Sequence, residues 1–542
     1  MKINSILFLF LFFTELLYAQ DIPNTEVKVV EGFKPSIPES IRLNENAIFV
    51  DTLKKERKQE YKFINLKLKS NYKTTILKPA IVKPDKISRI YNTSLSLGIG
   101  YKLKSDINFL YNSNRSKTTS YSLFFRNFNK GGSINNNKVA SSNQIFSIYF
   151  KHIMEKNIIN ANLDYNRNSA YSYGHVIDIK DNELKTRFNY TKLSFHLLSK
   201  NNLNTQLKHN SIFFISDLNE NSERRLHIST SLSKDFKNYP LALDLSVDNY
   251  SNYNSSQQIS FLQNTSTQLI SVAPSVNRNY FNADFTFFLV FDYESQEGVG
   301  VFPELIAEKQ LVKDVLLISL GLEKNKLRNT YKSLSNHNPF IHTLGSNQFI
   351  IPDDTTLDLR TTESKEVFFK ITNMLAKEEV WNNSIRYGSF SNFSYFDNYQ
   401  SDYNRFLVYY LDVLQLHLNS SYYKKINSMI ELSVNADYYN WNNKNIAHKP
   451  HLFLDVNTVV NLRNKIKFSP VVRYISNQNS FSVYEKNLPS RLYLDLVIKY
   501  NYSNRLSMLI NLNNLTNSKN DIWRGYQDIG FNGIFSVNWS FQ

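Results

Sequence analysis

The sequence predicts an all-β protein, a transmembrane antiparallel β-barrel of about 22 strands behind a short extended N-terminal segment. Three observations predict it. Apolar and polar residues alternate with a period of two in one run after another from Asn92 onward. Short and long polar connections take turns along most of the chain. After the N-terminus no run of about 20 apolar residues occurs, so no helix is predicted to span a membrane.

The alternation is plainest at the end of the chain. Phe531, Phe535, Val537, Trp539 and Phe541 fall on one face of a strand. Asn532, Ser536, Asn538, Ser540 and Gln542 fall on the other, with Ile534 the exception. One face therefore meets an apolar medium and the other a polar one. Aromatic residues gather at this end, as they do at a membrane–water boundary.

Earlier runs repeat the pattern. Leu241, Leu243, Leu245 and Val247 oppose Asp244, Ser246 and Asp248. Phe285, Phe287, Leu289 and Phe291 oppose Asp284, Thr286 and Asp292. Leu492, Leu494, Leu496 and Ile498 oppose Tyr493, Asp495 and Lys499. With their flanks such runs approach the roughly 9–11 residues a tilted strand needs to cross a bilayer. Unpaired backbone groups in lipid are too costly to leave open, so the strands must close into a barrel. The Asp/Glu/Asn/Ser face then points into the lumen and the Leu/Ile/Phe face to lipid.

The connections set the two ends. Short turns are predicted near 112–117, 155–157, 200–202, 237–238, Arg278-Asn279, 313–314, Lys377-Glu378, Lys424-Lys425, 463–464 and 503–504. Long loops are predicted at Gly131–Asn143, Tyr173–Glu183, Ser251–Thr267, Asn325–Ser364, Ser391–Asn404, Ser476–Pro489 and Asn514–Gly530, and a short first one at Lys104–Asp106. Outer-membrane barrels divide their connections this way, short in the periplasm and long outside. A barrel this wide cannot fill its lumen with its own side chains, so something must close it.

Composition fits the same picture. Hydrophobic residues make up 42% of the chain, enough apolar surface to exclude a disordered protein. The formal net charge is +16, but Lys and Arg are spread through turns and strand ends. That spread excludes a compact nucleic-acid patch and suits contact with anionic lipid head groups. There is no Cys, hence no disulfide, thiolate metal site or lipidated Cys anchor.

Residues 1–19 read as a secretory signal peptide. Lys2 precedes the apolar run Ile6–Phe13, and Ala19 marks the expected cleavage. Residues 20–90 form a Pro/Lys/Glu-rich segment expected to be extended in the periplasm. Its strand-like piece Val27–Phe33 could add to a partner's sheet edge or serve as a tether in the barrel mouth. Residues 91–542 form the barrel.

No phosphate loop, zinc-type His spacing or nucleophile elbow occurs, so no catalytic residue, metal ligand or cofactor is expected, and the protein reads as a non-enzyme. His152, His196, His209 and His417 fall in predicted strands as ordinary strand residues, although spacing alone leaves a Ser/His/acid cluster at the lumen edge open. The candidate ligand contacts are loop residues. Tyr331, His337, Phe340 and His342 lie in the longest loop, and Tyr395 and Phe396 lie in an aromatic one. Aromatics among Asn and Ser suit sugar or peptide recognition, or the packing of a loop on its neighbours.

A resemblance rests on the last 34 residues. Leu509–Ser518 reads Leu-Ile-Asn-Leu-Asn-Asn-Leu-Thr-Asn-Ser, followed by Trp523-Arg524-Gly525-Tyr526 and the closing strand. Together they resemble the C-terminal end of TonB-dependent outer-membrane receptors, with Asn514, Leu515 and Asn517 matching an Asn-Leu-x-Asn turn. Those receptors usually end in Phe, whereas Phe541 is followed here by Gln542. From about residue 24 on, the chain is similar to plugless receptor-like barrel proteins of the Bacteroidota, and Ile87–Gly98 is compatible with their barrel opening. Family receptors carry a folded plug larger than the whole 21–89 segment. They also carry an energy-coupling box, which Val27–Val30 resembles weakly. The resemblance implies a cell outer-membrane protein that takes up or binds a nutrient, without a full plug. Its expected partners are outer-membrane lipid and, through the N-terminal segment, periplasmic energy-coupling or envelope proteins. The alternative is a non-transporting barrel that anchors an envelope assembly or secretion complex. No nucleic acid is expected.

Overall fold

In the computed structural model the described residues are 60, 62 and 91–541, apart from 114–115, 135–136, 175–183, 201–206, 220–221, 237–238, 254–265, 342–358, 398–404 and 481–486. The predicted signal peptide and nearly all of the 20–90 segment lie outside them.

The strands form one antiparallel 22-stranded sheet that closes on itself. Strand β1 (Thr93–Tyr101) pairs with β2 (Leu103–Asn112) on one side and with the last strand, β24 (Asn532–Phe541), on the other. Two further short strands, β22 (Asp521–Trp523) and β23 (Tyr526–Gln527), make a separate hairpin within the last connection. The outer wall carries the predicted apolar face: Leu97, Leu241, Val247, Phe287, Phe291, Leu320, Phe535 and Trp539 are all exposed. The opposite parity is covered, with Asp292, Ser319, Ser536 and Asn532 buried.

Several connections differ from the pattern read in the sequence. The first is the single residue Lys102 in place of 104–106. The predicted loop 131–143 is mostly ladder, since β3 (Thr119–Ile134) and β4 (Asn137–Ile153) stay paired to Ile134 opposite Asn137. The predicted loop 391–404 begins late, because β15 (Glu379–Asp397) runs on to Asp397. The cause is common to both. Strands of 16 to 19 residues outrun the roughly 9–11 needed to cross, and beyond the membrane Asn, Ser and Gly can sit on either face. Alternation vanishes there although hydrogen-bonded pairing continues.

Two turns lie a few residues beyond their predicted sites. One is Phe281–Asn282, both with positive φ (53° and 57°), as a tight two-residue hairpin requires. Phe281 continues the apolar alternation, which disguised the turn. The other follows β16 (Leu407–Lys425), which keeps Lys424 and Lys425 in the ladder.

The seam allows little slack. A Cβ on Gly100 would stand 2.0 Å from the Gly533 carbonyl oxygen across β1 and β24. The Gly100→Val variant should therefore cost about 1–3 kcal/mol by forcing the closing strands apart. Folded, unboiled barrel on a denaturing gel should give way several degrees earlier than wild type; an unchanged transition temperature would show that the seam tolerates the side chain.

Candidate functional site

A barrel has no central core, and the buried hydrophobic cluster of this one sits at its long-loop end, in the loops and in the strand ends that carry them. Tyr173, Phe188, Leu218, Tyr331, Leu334, Ile341, Phe396, Phe406 and Tyr526 pack together there. Phe188, Leu218 and Phe396 stand near strand ends and the others in four separate connections, so their contact draws loops from distant parts of the rim across the mouth as a lid. Tyr526 and Phe406 are fully buried, each burial stabilising the lid by roughly 1.5–3 kcal/mol. Tyr526 stacks on Phe340 at 3.8 Å and meets Tyr173 edge-on at 4.9 Å. The Tyr173 hydroxyl donates to the Gln527 carbonyl oxygen at 2.9 Å. Trp523 lies 5.5 Å from both Phe396 and Phe406 and 5.2 Å from His448.

The longest loop contributes one short helix, α1 (Tyr331–His337). Thr330 caps it, its hydroxyl accepting from the Ser333 amide while its own amide donates to the Ser333 hydroxyl. Glu223, at the start of β8 (Glu223–Phe236), then holds the helix to the wall. Its buried carboxylate accepts the Tyr331 amide at 2.6 Å and the Lys332 amide at 3.2 Å. Burial pushes the Glu223 pKa up to about 7, while the two amide hydrogen bonds favour the ionised form, as expected of a carboxylate facing the free amides at a helix N-terminus.

Beneath the lid lies a cavity of about 660 Å³. Tyr173, Phe340 and Trp523 contribute from the lid. Its wall comes from the inward residues of the strands flanking the seam, among them Asp106, Arg126, Arg473, Arg491, Tyr493 and Asn511. Arg126 grips Asp106 with two hydrogen bonds, 3.1 and 3.0 Å. Arg473 donates to Asp455 at 3.4 Å. Asp495 accepts the Asn514 amide at 2.7 Å, which fixes the start of the last connection.

The opposite wall is a closed charge network. Lys324 reaches Asp292 (2.7 Å) and Glu363 (3.2 Å), and Lys326 reaches Asp292 (3.0 Å), Glu294 (3.5 Å) and Glu363 (3.4 Å). Buried charges of both signs satisfy one another there. Among the described residues no group of three or more His, Asp and Glu is arranged to hold a metal ion.

A Ser/His/acid line does occur on the inner wall. His227 Nε2 is 3.1 Å from the Ser229 hydroxyl, and Nδ1 is 2.9 Å from Asp248. Arg225 shares the same Asp248 oxygen at 2.7 Å. The amides of β8 pair with the strands on both sides, so the backbone beside Ser229 offers no free donor for an oxyanion. The line is part of an ion-pair network. His152, His196 and His417 likewise bond residues of the adjacent strand, and His209 reaches Asn157 one strand further on.

Of the residues singled out from the sequence, three come together. Tyr331, Phe340 and Phe396 all join the lid, and Phe340 also lines the cavity. His337 is exposed at the end of α1. Tyr395 stands on β15 and stacks on Tyr409 at 5.7 Å. His342 lies outside the described residues. Sequence reasoning missed Tyr173, Phe406, His448 and the cavity wall. For Trp523 and Tyr526 a signal existed, two aromatics flanking Arg-Gly in a polar connection.

The sequence matches no family model. It matches no curated protein either. Solved structures do match. A mutant of the ferric enterobactin receptor from Pseudomonas aeruginosa aligns with a TM-score of 0.61 at 12% identity, over 83% of this chain and 80% of that one. The siderophore receptor PirA from Acinetobacter baumannii aligns with a TM-score of 0.63 at 11% identity, over 84% and 81%. The FrpB iron transporter from Neisseria meningitidis gives 0.63 at 9% identity, over 84% and 82%. What is shared is the barrel fold. At these identities the likeness carries no residue of a binding site across.

Two predictions follow from the lid's geometry. Replacing Glu223 by Ala leaves the α1 amides without their acceptor and should loosen the helix by about 1.5–3 kcal/mol. Trypsin should then cut at Lys332 at least tenfold faster than in wild type; equal rates would mean that Glu223 does not hold the helix.

The second concerns His448, whose ring lies 5.3 Å from Phe406. Burial, with Arg524 and Arg491 nearby, pushes its pKa down to about 3. A water-exposed ring titrates near ~6.5. The closed lid thus binds fewer protons than an open one between those values. Through His448, closure should weaken as pH falls from about 6.5 toward 3, by about 1.4 kcal/mol per unit. Burial pushes Glu223 up to about 7, so its own contribution strengthens closure as pH falls through the same range. Openings of the reconstituted barrel should therefore rise more between pH 7 and 5 in wild type than in His448→Phe; identical pH profiles in the two would contradict the assignment.

Proposed function

We propose that the chain is an outer-membrane uptake barrel that captures a nutrient in the cavity beneath its loop lid. The observation that carries this reading is the roofed cavity itself. A ring of loops spends its apolar side chains on one another across the mouth, and the space beneath is lined with polar and aromatic groups. Pockets of this size, roughly 300–1,000 Å³, suit a small ligand. A lid above such a space favours capture over free diffusion.

The kind of protein that shares the fold supports the same reading, since the similar structures are a ferric enterobactin receptor, a siderophore receptor and an iron transporter. In this arrangement the long loops face the exterior and the short turns the periplasm. The apolar outer wall meets lipid. The segment at 20–90 is where a periplasmic energy-coupling or envelope protein would engage the chain.

Growth of a deletion strain tests the proposal. Under iron, carbon or nitrogen limitation the strain should lose growth on at least one supplied nutrient. The wild-type gene should restore it, and a Phe406→Ala, Tyr526→Ala variant should restore less. Unchanged growth on every limiting source, together with loss of an envelope complex, would favour the anchoring role instead.

A further inference from the structure

We infer that the cavity beneath the lid takes a neutral, polyhydroxylated ligand, a short glycan, rather than an anion. The inference deepens the uptake reading and rests on it. Three properties of the lining point the same way.

Charge comes first. Arg126 is neutralised by Asp106 in a two-bond pair, and Arg473 by Asp455. Lys130 and Arg491 add positive charge to the same lining and Asp495 and Asp528 add negative charge, so with Asp455 the cations and carboxylates balance. Little net positive field is left for a polyanion, and an incoming carboxylate or phosphate would meet carboxylates already there.

Unanswered hydrogen-bonding groups come second. Arg491 is 4% exposed, and its Nε–H has no partner among the described residues. Its Nη1 is spent on the Asp521 carbonyl oxygen at 3.3 Å. The buried Asn511 Oδ1 also has no partner among the described residues. One of these atoms donates and the other accepts, and both residues line the cavity. Leaving either unpaired costs free energy. A carboxylate group would answer Arg491 but brings no donor to Asn511. Hydroxyl groups donate and accept, so a sugar ring answers both.

Ring surface comes third. Trp523, Phe340, Tyr171 and Tyr493 line the same space. An aromatic ring offers apolar area with specific geometry, which suits the C–H faces of a pyranose. Planar amide and guanidinium groups beside aromatic rings grip hydroxyls in the plane while the rings cover the face.

Tryptophan fluorescence reads the site, because of the four tryptophans Trp523 lines the cavity, Trp381 and Trp539 stand exposed on the outer wall, and Trp441 lies outside the cavity lining. Purified full-length barrel in detergent would be titrated with maltotriose, cellotriose and chitotriose, and separately with inorganic phosphate and citrate. The expected result is a saturable change with at least one trisaccharide below about 1 mM. That change should be lost in Trp523→Phe and kept in Trp381→Phe. Asn511→Leu should weaken it at least tenfold, while its unboiled gel migration matches wild type and so shows a folded barrel. Asn511→Gln, which keeps the amide, should recover part of the affinity. A response to phosphate or citrate alone, no response to any of the three sugars, or a sugar response unmoved by Trp523→Phe would each overturn the inference. The growth defect of a deletion strain is independent of all of these, so the uptake reading can stand where the glycan fails.

Discussion

Nine residue pairs join β1 to β24, from Thr93 opposite Phe541 to Tyr101 opposite Gly533. Without them the first and last strands would each present a row of bare amides and carbonyls to lipid, where water cannot reach. Each unsatisfied group there would cost several kcal/mol. Closure is therefore a condition for the other strands to exist in a membrane at all. It also explains why Gly98 and Gly100 lie at the seam, where added side-chain atoms would meet the facing strand.

Closing the wall creates the molecule's second problem, a wide polar lumen open at its mouth. The loops answer it with aromatic side chains. In water, apolar loop residues have only one another to pack against, and the rings of Tyr173, Phe340, Phe406, Trp523 and Tyr526 do so over the mouth. Strands that outrun the membrane carry these loops inward on a rigid ladder, so the lid is held by backbone pairing as well as by ring contact. Glu223 adds a polar tie from the wall to the helix in the lid.

The inner wall divides into two chemistries. On the side of Asp292, Lys324, Lys326 and Glu363 lysines and carboxylates pair with one another, and the oxygens left without a hydrogen bond, Asp292 Oδ1 and Glu294 Oε2, are acceptors facing those lysines. Beside the seam the pairs are looser, and Arg491 and Asn511 keep unanswered atoms.

The sequence by itself determined the wall. A period of two is forced wherever one face meets lipid and the other water, so inward and outward residues could be read strand by strand, as in Phe287 and Leu289 against Thr286 and Asp292. It could not mark where strands end once both faces meet water, which is why 131–143 and 391–397 read as loop. Nor could it assemble the lid. Tyr173, Phe406, His448 and Tyr526 lie up to hundreds of residues apart, and no local pattern records that they touch. Only the folded barrel decides that, because bending the sheet into a ring brings loops from distant hairpins over one shared opening.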